Sequence, residues 1–260
     1  MTGVWGVLYT KEMKELWRSR KWIWVPLVFV LLGVSQPIVA VYLPELLKAA
    51  GSLPAGAVID IPKPAGGEVL AQTLSQYGTV GVLVLVLALM GTVSAERASG
   101  AAGLVLAKPV PFASYITAKW AAAVTLGSVS FTAGYVSSWY YAELLIGPVA
   151  PERALPSMLL YALWLAFVAT ATVALSAALN GGGAAAFAAI GGAMLLTLTA
   201  GLFERYTRWS PGTLAGRAAS VLARGEAGPQ LALAAAATVA LGALLLALAV
   251  RLLRRRELLP

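Results

Sequence analysis

Long apolar stretches that contain no charged residue recur along the chain, separated by shorter polar segments. A hydrocarbon core about 30 Å thick is crossed by about 20 apolar helical residues, and each stretch reaches that length. Because helices satisfy their own backbone hydrogen bonds in lipid, the pattern predicts an all-α membrane protein with six transmembrane helices. The predicted spans cover residues 22–43, 73–93, 120–142, 157–179, 184–203 and 230–250.

Composition excludes several classes of function. Of the 260 residues 60% are hydrophobic and 12% are charged, so we expect one transmembrane domain over residues 1–260 and no separate soluble domain. The chain has no cysteine and no histidine, which removes the commonest metal ligands and the commonest general base. No predicted span contains a charged residue, which argues against ion-coupled transport and intramembrane catalysis. We therefore expect no catalytic residue, no metal and no cofactor bound by this chain.

The placement of charge predicts the orientation. Residues 1–21, 94–119 and 251–260 carry twelve basic and four acidic residues, whereas the other connecting segments carry seven of each, so the first group holds the whole net charge of +8. The positive-inside rule places this group in the cytoplasm, together with both termini. None of the basic segments has the fold context of nucleic-acid recognition, and no nucleic-acid partner is expected.

Residues 1–21 predict an amphipathic helix in the cytoplasmic lipid interface. Aromatic and aliphatic residues share one face at helical spacing, and Lys11, Lys14 and Arg18 lie opposite. Glu12 interrupts the apolar face. We expect its carboxylate to face headgroups, water or a partner protein.

Two connecting segments carry further signals. In the cytoplasmic loop 94–119, the apolar run 101–107 is too short to cross a membrane, so it must be covered by lipid or by a groove on a partner. The outer loop 204–229 carries four arginines, more than the positive-inside rule favours. Within it, residues 213–224 predict a short helix that lies in the outer interface or dips into it as a re-entrant helix. Its residues Ala218, Val221 and Leu222 are expected to lie roughly opposite Arg217 and Arg224.

Small residues recur every four positions in the third predicted span, at Ser130, Gly134 and Ser138. This spacing lets helix backbones approach closely in lipid. The contact could be with a second subunit or could be tight packing within one subunit.

Motifs along the whole chain make it resemble the ABC-2-type transporter permeases, especially the short permeases of bacilli and related bacteria. One departure is Ala101 after Gly100, where that family usually has Thr or Ser. Two features come from the N-terminal half of the chain: the helix with Lys11, Glu12, Lys14 and Glu15 before Arg18, Arg20 and Lys21, and the stretch LAQTLSQYGTVGVL. A third is the E-R-x-x-G…K-P-V pattern of Glu96, Arg97, Gly100, Lys108, Pro109 and Val110. It is followed by Tyr115 and Lys119 at the foot of the third span.

The resemblance implies a type V-like exporter fold in a bacterial plasma membrane. Two copies of the permease would pair with two copies of an ATPase, the nucleotide-binding subunit that holds ATP and Mg. The N-terminal helix and the loop 94–119 would be the coupling elements seated on the ATPases. The short outer helix would cap the exit, which makes Arg217 and Arg224 candidates for an outer gate. The expected coupling residues are Lys11, Glu12, Glu15, Glu96, Arg97, Gly100, Lys108 and Pro109.

The function expected from these features is that of a permease subunit in an ATP-driven exporter. Glu96 is the first candidate for coupling, with Arg97 as its charge partner. Apolar spans with scattered hydroxyl groups favour a hydrophobic or amphipathic cargo, such as a lipid, a drug or a peptide. The alternative is a membrane anchor or sensor subunit of an ATPase complex that transports nothing. Dependence on ATPase turnover distinguishes the two.

Overall fold

A computed structural model describes residues 2–49, 64–107 and 110–257, and within these ranges the chain is helical and contains no β-strand. A π-helical turn, Tyr77–Gly81, joins the third helix to the fourth. In chain order the helices are α1 (Thr2–Arg18), α2 (Lys21–Ala49), α3 (Gly66–Gln76), α4 (Val82–Leu89), α5 (Ser94–Ala98), α6 (Ala101–Leu106), α7 (Phe112–Leu145), α8 (Pro151–Ala178), α9 (Gly182–Leu202), α10 (Glu204–Thr207), α11 (Thr213–Arg224) and α12 (Leu231–Glu257).

Five helical segments among the described residues are long and apolar enough to cross a membrane. Each contains or largely overlaps one of the predicted spans, which confirms a multi-pass helical membrane protein. The five segments are Lys21–Tyr42, Gly66–Ala98, Pro151–Ala178, Gly182–Leu202 and Leu231–Arg255.

The remaining predicted span, 120–142, lies within α7. This helix has 34 residues, but it is richer in Ser, Thr and Tyr and is not apolar enough to be counted with the other five. Its position explains this composition, because α1, α2, α3, α8 and α12 all pack against it. A helix surrounded by other helices exposes less of its surface to lipid than a peripheral one. Six spans, and the side on which the termini lie, therefore stay predictions.

The second membrane segment begins earlier than predicted, at Gly66 rather than Thr73. The carboxylate of Glu68 accepts a hydrogen bond from the backbone N–H of Ala65 (3.3 Å), which satisfies one of the free donors at the start of the helix. Because α3 begins with polar residues, the apolar pattern of the sequence does not reveal its first turns. One face of α3 nevertheless packs into the bundle through Val69, Leu70 and Leu74.

The bundle is closely packed where α2 crosses α7. A Cβ atom added to Gly33 would lie 2.2 Å from the carbonyl oxygen of Gly134, so only glycine permits this approach. Tyr77, at the start of the π-helical turn, fits against the same crossing and donates to the carbonyl of Phe29 on α2 (2.9 Å). The predicted packing residues Ser130, Gly134 and Ser138 are all buried inside the chain, and the Ser138 and Thr73 hydroxyls are 2.8 Å apart.

Candidate functional site

Helix α1 packs along the first half of α7 and presents its aromatic face to it. The indole N–H of Trp5 donates to the hydroxyl of Thr117 (3.1 Å), and the hydroxyls of Tyr9 and Thr125 are 3.1 Å apart. Lys14, on the other face, is exposed. The apolar side of this amphipathic helix is therefore covered in part by protein, and not by lipid alone as its composition suggested.

Glu12 is turned towards α7 and is only 6% exposed. Its Oε1 lies 2.9 Å from the Nζ of Lys119 and 3.1 Å from the Nζ of Lys11. Lys119 is itself 1% exposed, so the pair is buried. The expectation that Glu12 faces headgroups, water or a partner protein is corrected here, because its carboxylate is paired inside its own chain. A carboxylate on an apolar face becomes tolerable once a buried cation meets it.

Glu96 reaches the same place from α5. Its Oε1 forms ion pairs with Lys119 (3.0 Å) and with Lys11, and its Oε2 accepts a hydrogen bond from the hydroxyl of Tyr115 (2.5 Å). The ammonium group of Lys119 also lies over the ring of Tyr115, 5.1 Å from its centre. We call this group of side chains the charged cluster. It consists of Lys11, Glu12, Glu15, Glu96, Tyr115 and Lys119.

The electrostatics of the charged cluster favour the charged form of Lys11. Burial acts to lower the pKa of Lys11, but its hydrogen bond to Glu96 and its attraction to Glu12 and Glu96 outweigh this effect and raise that pKa above its ordinary value. Oxygens of Glu12, Glu15 and Glu96 lie within 4.8 Å of one another, a spacing that could suit a metal ion. The two ammonium groups already contact these carboxylates, so the arrangement is that of an ion-pair network.

Helix α5, which carries Glu96, is fixed by α8. The hydroxyl of Ser176 donates to the carbonyl of Met90 (2.7 Å) and accepts from the backbone N–H groups of Val93 and Ser94 (both 3.1 Å). It therefore bridges the break between α4 and α5. Arg97 donates to the carbonyl of Ala177 in the same part of α8 (3.1 Å), whereas the ion pairs of Glu96 described above are to lysines.

The other predicted coupling residues follow α5. Gly100 has a φ of +75°, a left-handed conformation that suits glycine and lets the chain turn from α5 into α6. Leu104 on α6 is 77% exposed. Lys108 and Pro109 lie outside the described residues.

Three residues that complete this site carry weaker signals in the sequence. Lys119 and Tyr115 stand out only through the resemblance, and no motif marks Ser176. Lys119 does carry one signal, because it stands at the start of an apolar stretch. Glu12 interrupts the apolar face of the first helix, and two charges of opposite sign in apolar surroundings suggest an ion pair. Nothing in the sequence distinguishes Ser176 from the other hydroxyl residues of the spans.

The predicted outer helix is α11, whose ends coincide with residues 213–224. Arg217 does not lie opposite its apolar residues as expected, because it is buried together with Ala218, Val221 and Leu222. Its guanidinium donates to the backbone carbonyls of Ala227 (3.0 Å), Pro229 (2.7 Å) and Arg208 (2.9 Å), and to the hydroxyl of Thr213 (3.2 Å).

Beside this arginine is a cleft of about 570 Å³ between α9, α10, α11 and the segment 226–229 that precedes α12. Arg208, Arg217 and Arg224 line it, together with Glu204 and Glu226. Arg224, the second predicted gate residue, is exposed and donates to the hydroxyl of Ser220 (3.0 Å). We call this the arginine cleft.

Comparison with known proteins identifies a relative in Bacillus subtilis (strain 168), the uncharacterized transmembrane protein YxlG. The two sequences are 37% identical over 219 residues, which cover 84% of this chain and 85% of YxlG. No protein-family model matches the chain. The similarity extends over most of both proteins and agrees with the apolar helices described above. The chain belongs to the same family of transmembrane proteins as YxlG.

Proposed function

We propose that this chain is the permease subunit of an ATP-driven exporter of the ABC-2 type. It would form the path through the membrane as a pair of copies and would couple to a separate ATPase subunit, which binds ATP and Mg. The observation that carries the proposal is the charged cluster. It joins α1, α5 and α7 through buried or half-buried ion pairs, and thereby connects two surface segments directly to a central helix of the bundle.

Apolar side chains at the same end of the bundle support a docking role. Leu104 on α6 is 77% exposed, and Val7 and Trp17 on α1 are 70% and 65% exposed. Such side chains need cover from lipid or from the groove of a partner. In the proposed complex the ATPase covers Leu104, and the remaining apolar surface of α1 lies in the lipid interface.

The proposed coupling step follows from the cost of separating buried charges. Removing one member of a buried ion pair costs about 3–5 kcal/mol, because the other charge is left without compensation. When ATP binding closes the ATPase dimer, a displacement of α1 or α5 would therefore move Lys119 and with it α7. The cargo that suits the apolar bundle is hydrophobic or amphipathic: a lipid, a drug or a peptide.

The first test is biochemical. The chain is co-expressed with each ABC ATPase that is encoded near its gene, purified in lipid nanodiscs and assayed for ATP hydrolysis. A stable complex with two copies of each subunit and vanadate-sensitive hydrolysis is expected. If no stable complex forms with a neighbouring ATPase, the exporter assignment fails and a membrane anchor or sensor becomes the better description.

The second test addresses Glu96. Glu96→Gln keeps the shape of the side chain but removes the charge that holds Lys11 and Lys119. We expect the complex to assemble and hydrolyse ATP, while export of a fluorescent amphipathic dye from cells falls to the level of cells without the permease. Glu152→Gln is the matched control, because Glu152 is exposed in the first turn of α8 and lies outside the charged cluster. Normal export by Glu96→Gln would remove Glu96 from the coupling route.

A further inference from the structure

The arginine cleft has a charge that the protein does not neutralise. Among the described residues, no carboxylate oxygen lies within 4.0 Å of the guanidinium groups of Arg208, Arg217 or Arg224. Glu204 and Glu226 also line the cleft, but both are exposed to solvent. With three arginines and two glutamates, the lining carries a formal charge of +1.

One guanidinium group offers a donor without an acceptor. The Nε of Arg208 is buried and has no hydrogen-bond partner in the part of the chain that the structure describes. A buried N–H that lacks a partner costs about 1–3 kcal/mol, and more when the group is charged. Arg208 also lines the cleft, so a guanidinium group that lacks an acceptor at its Nε in the described chain stands at the cleft wall.

Arg217 makes the cleft a preformed site. Its guanidinium binds the carbonyl oxygens of Arg208, Ala227 and Pro229, and so ties α11 to the end of α10 and to the chain before α12. These carbonyls satisfy its N–H groups but bring no formal negative charge. The walls of the cleft are therefore fixed before a ligand arrives, while the charge of Arg217 remains available to it.

The surroundings of the cleft place it at a lipid interface. Next to Arg208 along the chain, Phe203, Tyr206 and Trp209 are 56%, 75% and 49% exposed. Exposed aromatic residues beside the ends of membrane helices are typical of the headgroup level of a bilayer. A volume of about 570 Å³ is large enough for a phosphate group with its glycerol or alcohol substituent.

We propose that the arginine cleft binds a phosphate oxyanion, with Arg208 and Arg224 as the ligand-binding donors and Arg217 as the residue that positions them. A phosphodiester carries one negative charge, which equals the formal charge of the lining. The oxyanion could belong to the headgroup of a membrane lipid or to free phosphate. The site is independent of the exporter assignment, because it involves neither the charged cluster nor an ATPase.

The test uses the full chain purified in an uncharged detergent. Binding of inorganic phosphate and of short-chain phosphatidylglycerol is measured by isothermal titration calorimetry, with short-chain phosphatidylcholine as the zwitterionic comparison. We expect Arg208→Gln with Arg224→Gln to weaken binding about tenfold or more, because two charge-assisted hydrogen bonds are lost. Arg205→Gln is the control, because Arg205 is exposed on the same short segment but does not line this cleft. It should leave binding within about twofold.

Each outcome decides the proposal. If the wild type binds phosphatidylglycerol but not phosphate, and the double variant loses this binding, the site is supported and its ligand is a lipid headgroup. Binding of phosphate alone with the same loss supports the site and identifies a free ligand. Arg224→Gln alone, at an exposed residue, should still weaken binding and replaces the double variant if that does not fold. No binding of either ligand, or equal binding by wild type and variants, overturns the proposal.

Discussion

The charged cluster and the arginine cleft are both built around a buried cation, and they differ in what surrounds it. Lys119 is held by the carboxylates of Glu12 and Glu96, which come from two other helices. Arg217 is held mainly by backbone carbonyls that carry no formal charge. The cluster is therefore a closed set of ion pairs that joins helices. The cleft keeps an excess positive charge beside an open cavity, which is the condition for binding an anion.

The largest effect is expected when the buried cation of the charged cluster is removed. Lys119→Met keeps the length of the side chain but leaves Glu12 and Glu96 with a single lysine, Lys11. We expect a loss of about 3–5 kcal/mol in the free energy of unfolding, because buried carboxylates lose their partner. The measurement is unfolding by SDS in mixed micelles, followed by circular dichroism. Lys14→Met is the control, since Lys14 is exposed on α1 and should change stability by less than about 0.5 kcal/mol. Similar losses in both variants would mean that the cluster does not join the helices.

Arg217→Met makes the corresponding change in the cleft. Because carbonyl groups rather than carboxylates lose their partner, we expect a smaller loss of about 1.5–3 kcal/mol. In the wild type Arg217 holds the carbonyls of Ala227 and Pro229 between α11 and α12, so limited proteolysis of this segment should become faster in the variant. Arg205→Met should leave both the stability and the proteolysis rate unchanged. A loss equal to that of Lys119→Met would contradict the distinction between the two sites.

A third prediction concerns the backbone under the cleft. A Cβ atom at Gly212 would lie 2.1 Å from the carbonyl oxygen of Leu196 on α9, so Gly212→Ala should force α9 and α11 apart and cost about 1–3 kcal/mol. At Gly216, on the cleft-lining side of α11, a Cβ atom meets nothing within 4 Å. Gly216→Ala should instead stabilise the helix by up to about 1 kcal/mol. The melting temperatures of the two variants are compared in detergent. If both variants are destabilised, contacts along the cleft lining, and not the close approach of α9 and α11, determine the stability.

The smallest effect is expected when the hydrogen bond between Tyr115 and Glu96 is removed. Tyr115→Phe removes one hydrogen bond to Glu96 while both ion pairs of Glu96 remain, so we expect a loss of about 0.5–1.5 kcal/mol. The same unfolding assay measures it. Coupled to Lys119→Met in a double-mutant cycle, the two changes should be non-additive, since both act on Glu96. Strict additivity would mean that Tyr115 and Lys119 stabilise the protein separately.

Membrane helices were predictable because lipid imposes a simple requirement on length and charge. That rule located five helices by their uncharged stretches, but it placed the start of the second at Thr73, because Glu68, which caps α3, and Gln72 make its first turns more polar. It also treated the stretch 120–142 like the others. Inside a bundle a helix can be more polar than its neighbours, and hydropathy alone does not separate that case from a marginal span.

The candidate sites were predictable in part for a related reason. Glu12 and Arg217 could be recognised as charges in unfavourable places, but their partners could not. Lys119 is 107 positions from Glu12, and the carbonyls that hold Arg217 belong to residues of any type. Periodicity describes one helix at a time, whereas both sites are made by contacts between helices. The π-helical turn at Tyr77 has no clear sequence signal for the same reason, because its tyrosine is fixed by a carbonyl of α2.

Helix α7 extends through 34 residues without a break, a length of about 51 Å at 1.5 Å per residue, against a hydrocarbon core of about 30 Å. Its first turns hold Lys119 in the charged cluster, and further along Tyr135 donates to the carbonyl of Ala154 near the start of α8 (2.9 Å). It is thus a single stiff strut, longer than a hydrocarbon core is thick, that is fastened in its first turns and again at Tyr135. A tilt imposed at one end is accompanied by a counter-displacement at the other, without any residue between having to change its backbone conformation.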